Sequence, residues 1–461
     1  MSGITHQLAS FIASADTCPA ETLPIARLGF CDCIAVMIAG AGEAPVSILA
    51  SMARETSGPD SAPQIPGGRL LSPSDAALVN GTAAHVLDFD DVAIDGHPSV
   101  VLVPAILAEG HALGTSGVQA LEAYVFGYET WAAVMELESG HLHDRGFHPT
   151  AILGTLATAA ACARLHRLDT DRTVHALGIA ASLASGLVAN FGTMTKSLHA
   201  GRTAQNGVLA ARLAKAGFTA SPDAIEHKAG LLFAHSPTGR ISVETDLELG
   251  RRWRLAEKGL NVKRYPICYA AHRSVDAMLE LAQAHGLQPD DIEKIHVRIG
   301  ETQQAMLRNH APTNGLEAKF SIEFALASAL VARKVGLRQL DDAFVQSSDI
   351  VSTMRKVHCT TTSEVMKDLP FAPADEISID LPGNGTLSHD PVSDAKGSWA
   401  NPLSSAEMQD KFMDCVEVAL GEDQTLTLFE SLMDLQHSPT IRELPVFAPE
   451  HRFQNKEYLH E

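Results

Sequence analysis

Cationic residues are scarce in this chain: 35 Lys and Arg stand against 55 Asp and Glu in 461 residues, a formal charge of -20. Nucleic acid and anionic membrane surfaces need a surplus of Lys and Arg to neutralise phosphates, so neither is an expected partner. Cysteine is sparse as well. Seven cannot staple a chain of this length, and Cys31 and Cys33 have no second pair at zinc-finger spacing, so a reducing cytoplasm is the expected setting. Residues 1 to 18 lack the basic start and sustained apolar run of a secretory signal. One stretch lacks charge altogether: Thr173 to Thr195 holds no Asp, Glu, Lys or Arg and is long enough to span a bilayer. Its His175, Ser182, Ser185, Gly186 and Asn190 weigh against a membrane, and the expectation is a helix buried in an all-helical core.

What is present is a globular composition, 45% apolar and 20% charged, at a length that points to two domains. From Thr5 to about Gly217 the apolar pattern is helical. Ser72-Pro73-Ser74-Asp75 reads as an N-cap opening a helix toward Leu87, and Gly217 as the end of a helix that begins near His199. After Pro266 the period changes. Ile295, Val297 and Ile299 alternate with polar residues, as do Ile377, Ile379 and Leu381 before the turn Pro382-Gly383-Asn384-Gly385, and both read as strands. Ser321 to Lys334 and Asp349 to Lys356 read as helices between them, and helical periodicity returns from Ser404 to Leu435. The expected fold is mainly α: a large all-helical domain (1–266), an inserted smaller α+β lid domain (267–399), and C-terminal helices (400–461) that return to the first domain.

The densest chemical signal is Leu87-Asp88-Phe89-Asp90-Asp91 followed by Gly96-His97-Pro98-Ser99. In His97-Pro98 and His148-Pro149 the proline stands where a helix starts, which places each histidine at or beside an N-cap. The positive end of the helix disfavours imidazolium, so each ring is expected neutral near pH 7 and suited to act as a general base. Chance His-Pro pairs are the plain alternative in a chain with 21 histidines. Asp88, Asp90 and Asp91 have a sharper rival, since an aspartate cluster in an all-α protein can hold magnesium and diphosphate, but the second acidic motif that this needs finds only Glu136 to Glu138. Lys196, His199 and Arg202 crowd cations into the start of another helix, and Lys263-Arg264-Tyr265-Pro266 with His272 makes a third cationic element. The natural counter-ion for Lys196 is the Asp88 cluster or a bound carboxylate.

Taken together these motifs resemble the MmgE/PrpD family, which includes 2-methylcitrate dehydratase, cis-aconitate decarboxylase and iminodisuccinate epimerase. The resemblance runs in order through Asn80-Gly81-Thr82, Leu87 to Asp91, His97-Pro98, Phe147-His148-Pro149, Thr195 to Gly201, Lys263 to Pro266, Ala318-Lys319-Phe320-Ser321 and Asn401-Pro402-Leu403-Ser404. It implies a homodimer that needs no metal and no cofactor. It also implies that Asp88, His97, His148, Lys196 and Lys263 carry the chemistry, with Asp91, Met194, His199, Arg202, Tyr265 and His272 as candidate substrate-binding residues. Two positions depart from decarboxylase-like members, where threonine follows the aspartate cluster and tyrosine stands in the lid helix; here they are matched to Val92 and Phe324. Both changes remove a hydroxyl that could protonate or hold a substrate group.

The expected activity is proton transfer next to a carboxylate of a small di- or tricarboxylate, passing through an enolate-like species. A histidine moves the proton, Asp88 orients an imidazole, and Lys196 and Lys263 bind carboxylates. A 2-methylcitrate dehydratase-like hydro-lyase ranks first, with an iminodisuccinate epimerase-like or cis-aconitate decarboxylase-like enzyme as the alternatives. A non-catalytic binding protein and a magnesium-dependent isoprenoid synthase are more remote.

Overall fold

The structure is a computed structural model and describes residues 2–14, 17–138, 140–366, 371–383 and 385–447. The chain divides into two compact units, one of Met1–Leu260 with Met408–Glu461 and one of Asn261–Glu407. It is mainly helical, as its periodicity indicates.

Nine main helices build the N-terminal part of the first unit: α1 (Ile4–Ser14), α2 (Thr22–Gly40), α3 (Ala44–Met52), α4 (Pro73–His85), α5 (Ser99–Leu113), α6 (Gly117–Met135), α7 (Pro149–Leu165), α8 (Thr170–Leu183) and α9 (Met194–Lys215). Two short strands, β1 (Ala62–Pro63) and β2 (Leu70–Leu71), pair antiparallel between α3 and α4. The second unit carries α10 (His272–His285), α11 (Ile322–Ala332) and α12 (Ser348–Met354). Its sheet is made of β3 (Lys294–Gly300), β4 (Val357–Thr362), β5 (Glu376–Leu381) and β6 (Gly385–Ser388) in the order β4-β3-β5-β6. Two further helices, α13 (Ser405–Leu420) and α14 (Glu422–Met433), close the chain, and α14 packs on α2 of the first unit.

Ser72 caps α4 by accepting from the Asp75 amide, with Pro73 in the first turn. Helix α9 packs against α4 and α7 along stripes of small residues. At Gly81 and Gly201 the two backbones nearly touch: a Cβ on Gly201 would fall 2.3 Å from the Leu78 carbonyl oxygen. Glycine in both motifs therefore brings α4, which leads into the aspartate loop, against α9, which carries Lys196 and His199. In the second unit Ile295, Val297, Ile299, Ile377 and Ile379 are buried and pack with Val275, Met278 and Leu281 of α10 and with Leu326 and Leu330 of α11. The β5–β6 hairpin closes with Leu381 opposite Gly385, while Asn384 lies outside the described residues.

One expectation is corrected. Thr173 to Thr195 is not one helix: α8 stops at Leu183, Ala184 is extended, and Gly192 takes a left-handed φ of 84° before α9 begins at Met194. Absence of charge marked the segment as buried, yet its glycines and its half-exposed residues from 184 on make it a loop. Among the described residues the helix that is long and apolar enough to cross a membrane is instead Thr22–Gly40; it is largely buried within the first unit and carries Asp32 in ion-pair contact with Lys411. The helix at the end of this loop starts at Met194 rather than near His199, and Gly217, with φ 95°, follows its end.

Candidate active site

The loop between α4 and α5 is held in an unusual shape. Asp88, Ile94 and Asp95 have φ of 53°, 44° and 62°, in the left-handed region that non-glycine residues avoid. Reciprocal backbone hydrogen bonds between Ala93 and Gly96, both 2.9 Å, and a bond from the Trp131 indole to the Ile94 carbonyl hold it there. Strain of this kind persists where the surroundings over-determine it, commonly at functional sites.

The left-handed turn at Asp88 sends neighbouring carboxylates in different directions. Asp88 accepts from the Lys196 ammonium at 3.0 Å, so the counter-ion expected for Lys196 is in place. Asp90 is fully buried between two imidazoles. His97 Nδ1 lies 2.6 Å from its Oδ2, and His85 Nδ1 lies 3.1 Å from its Oδ1. Burial favours the neutral acid, but the two imidazoles and their hydrogen bonds outweigh it and hold the Asp90 carboxyl well below the usual carboxylate range. An ionised Asp90 is acceptor-only, so we assign the proton of each ring to Nδ1, which leaves Nε2 of His97 as the nitrogen available to exchange a proton. Asp90, not Asp88, is thus the carboxylate that pairs with His97, whose Nδ1 also lies 3.1 Å from the Asp91 carbonyl. Asp91 points away from both: it accepts from Ser99, whose hydroxyl meets Tyr124 at 2.7 Å. Burial, then Asp32 and Asp90, push its carboxyl far up, which makes Asp91 an internal group rather than the substrate contact expected for it.

His148 is the N-cap of α7, as its proline predicts, and His97 stands one residue before the N-cap of α5. His148 is buried, and its Nδ1 faces Nδ1 of His199 at 3.1 Å. Its edge packs on Phe191, with ring centroids 4.8 Å apart, and Lys196 lies over the same Phe191 ring at 5.4 Å. Burial, then His85, His97, Lys196 and His199, depress its basicity strongly, so His148 is neutral. The ring of His85 lies 4.7 Å from that of His97 and 6.0 Å from that of His148, and burial lowers the His85 pKa to about 4.

The first unit therefore brings together Asp88, His97, His148, Lys196 and His199 of the expected residues and adds His85, Asp90 and Phe191. Met194 is exposed at the start of α9, and Arg202 is exposed and donates to Gln205, outside this cluster. Lys263, Tyr265 and His272 belong to the second unit and are buried there. The Tyr265 hydroxyl donates to Asp276 at 2.6 Å, and the His272 ring lies 5.1 Å from that of Tyr265. Phe324 is also buried in that unit, edge-on to Phe344 in a core with Val345 and Ile350. It is a packing residue, and the loss of a catalytic hydroxyl there is not supported.

His85, Asp88, Asp90 and His97 also offer four donor atoms within 4.8 Å of one another, and a set of two imidazoles and two carboxylates suits a transition ion better than magnesium. Against this, both Asp90 oxygens are already engaged by imidazoles and Asp88 holds the Lys196 ammonium. The magnesium-diphosphate arrangement fails on geometry, because Asp91 is turned inward and Glu136 is paired with Arg252 and Arg254.

Comparison with known proteins bears on the family. Residues 6–244 match the MmgE/PrpD N-terminal domain and residues 265–435 the MmgE/PrpD C-terminal domain. Cis-aconitate decarboxylase of Homo sapiens is 28% identical over 381 residues, 79% of this chain and 77% of the relative. Cis-aconitate decarboxylase of Aspergillus terreus is 25% identical over 418 residues, 84% of each. A cis-aconitate decarboxylase-like protein of Aspergillus oryzae is 26% identical over 455 residues, 92% of each. With both of its domains matched, the chain belongs to the MmgE/PrpD family.

Proposed function

We propose that the protein is a lyase that acts on a small di- or tricarboxylate by proton transfer at a carbon next to a carboxylate. The observation that carries the reading is the pairing of two differently set histidines: His97 on an ionised Asp90 and a buried, neutral His148. A ring with a carboxylate partner beside a ring without one gives a site the two different groups that acid-base chemistry needs. His148, with no carboxylate among its hydrogen-bond partners, suits the base. His97, whose added proton has Asp90 as counter-ion, suits the acid. Lys196 supplies positive charge for a substrate carboxylate and for the enolate that forms beside it.

Decarboxylation of a cis-aconitate-like tricarboxylate is the first reaction to test, because the relatives bear that name. The bond to the departing carbon dioxide breaks, its electron pair passes into the neighbouring conjugated carboxylate, and an acid such as His97 then protonates carbon. Dehydration of a 2-methylcitrate-like hydroxy acid is the second reading: His148 removes the α-proton and His97 protonates the leaving hydroxyl. Lys263 keeps its place as a carboxylate-binding candidate through the family motif.

The test is turnover of cis-aconitate, citrate, 2-methylcitrate and iminodisuccinate by the purified chain, with carbon dioxide and unsaturated product followed together. Activity on one of these that survives a chelator supports the proposal. Activity lost to a chelator and restored by a divalent ion would place a metal in the histidine cluster instead.

A further inference from the structure

We propose that Lys411, on α13, is a positioning residue for the proton transfer described above; the inference rests on that proposed function. Lys411 is buried, and its ammonium makes three contacts. It is in ion-pair contact with Asp32 of α2, donates to the Phe89 carbonyl at 2.9 Å, and lies 4.1 Å over the Phe89 ring. Asp32 is fully buried too. Burial pushes its carboxyl up, and Lys411 opposes that shift. Lys411 therefore ties the peptide group that precedes Asp90 to α2 through Asp32.

That placement matters because the peptide before Asp90 sets where its carboxylate points. Asp88 is left-handed, and Asp90 has to reach both His85 and His97. Rotation of the Phe89–Asp90 peptide would swing the Asp90 carboxylate off its 2.6 Å contact with His97. Lys411 also supplies the positive charge among three buried carboxylates, Asp32, Asp90 and Asp91. An ion pair that served packing alone could be replaced by apolar groups of similar shape without loss. A pair that aims Asp90 could not.

The experiment compares Asp32→Asn/Lys411→Met, which removes both charges together and avoids an orphaned buried ion, with Lys411→Arg, which keeps the charge but changes its reach. Both are measured for kcat, KM, thermal midpoint and the 15N shifts of the His85 and His97 ring nitrogens. In the double variant the expected result is a folded protein whose kcat falls roughly tenfold to a hundredfold with KM nearly unchanged, the size of effect that misplacement by about 1 Å produces. Its His97 ring shifts move, and Lys411→Arg recovers part of the lost kcat. Wild-type kcat and unchanged His97 shifts in the folded variants overturn the proposal. If the wild type turns over none of the four polycarboxylates, the proposed function fails by itself, and the His97 shifts still decide whether Lys411 positions Asp90. Should the double variant not fold, the same two readouts on Lys411→Arg decide it: an altered His97 shift supports the role and a wild-type shift with wild-type kcat overturns it.

Discussion

Replacing Asp90 by asparagine isolates the feature on which the acid-base assignment depends. The carboxylate meets Nδ1 of His97 at 2.6 Å and Nδ1 of His85 at 3.1 and 3.2 Å through its two oxygens, and the Asp91 carbonyl also meets Nδ1 of His97 at 3.1 Å. Asparagine keeps the shape but has one acceptor group and one donor group. Where its NH2 faces His97 and turns that ring's Nδ1 into an acceptor, the nitrogen meant to exchange a proton has the wrong tautomer, a change that costs roughly 10⁴ in kcat where a buried carboxylate orients a catalytic histidine. Where the amide oxygen faces His97, or the Asp91 carbonyl keeps the Nδ1 proton in place, His97 keeps its tautomer and loses only the charge of its partner. The difference between a charged and a neutral hydrogen bond is about 1 to 1.5 kcal/mol, or roughly tenfold. Asp90→Asn is therefore expected to lower kcat by roughly 10- to 10⁴-fold, with KM changed far less and the far-ultraviolet circular dichroism unchanged. Steady-state kinetics on the turned-over polycarboxylate, with 15N shifts of both rings, reads the outcome. A folded Asp90→Asn protein with wild-type kcat would refute the dyad.

Three further expectations follow from the same geometry. His148→Ala should abolish turnover while leaving the fold intact, and full retained activity in a steady-state assay would remove His148 from the chemistry. For His85 the folded pKa, about 4, lies below the ordinary 6.5, so the unfolded chain binds the extra proton between these values and stability falls as pH drops through that window. Wild type should lose about 2 kcal/mol more than His85→Gln between pH 7 and pH 5 in urea titrations, and parallel losses would show that His85 is not held neutral. Phe324→Tyr would bury a hydroxyl in the Phe344–Ile350 core and should cost about 1 to 3 kcal/mol of stability without raising activity; a gain in decarboxylation at unchanged stability would put Phe324 back in the site.

Much of this was legible in the order of residues, for identifiable reasons. Proline after His97 and His148 fixes where helices can begin, and α7 does take His148 as its N-cap. The crowding of cations near Lys196 called for a counter-ion, and Asp88 supplies it. Which aspartate serves His97 was not legible, because it depends on a left-handed φ at Asp88 that sequence does not display. His85 went unnoticed at the end of α4, since nothing local tells a buried polar group from a helix-end histidine. Lys411 lies 322 residues from the Phe89 carbonyl it binds, and only folding brings the two together. Thr173 to Thr195 was misread because an uncharged composition cannot separate a buried helix from a glycine-broken loop of half-exposed residues.

The central claim is proton transfer beside a carboxylate, and solvent isotope exchange measures it most directly. The purified protein is incubated in deuterium oxide with cis-aconitate, citrate, 2-methylcitrate and iminodisuccinate in turn and followed by proton NMR. The account predicts enzyme-dependent deuterium incorporation next to a carboxylate in one of them, in substrate or in product, and its loss in His148→Ala. Neither exchange nor turnover nor binding across the four would contradict it.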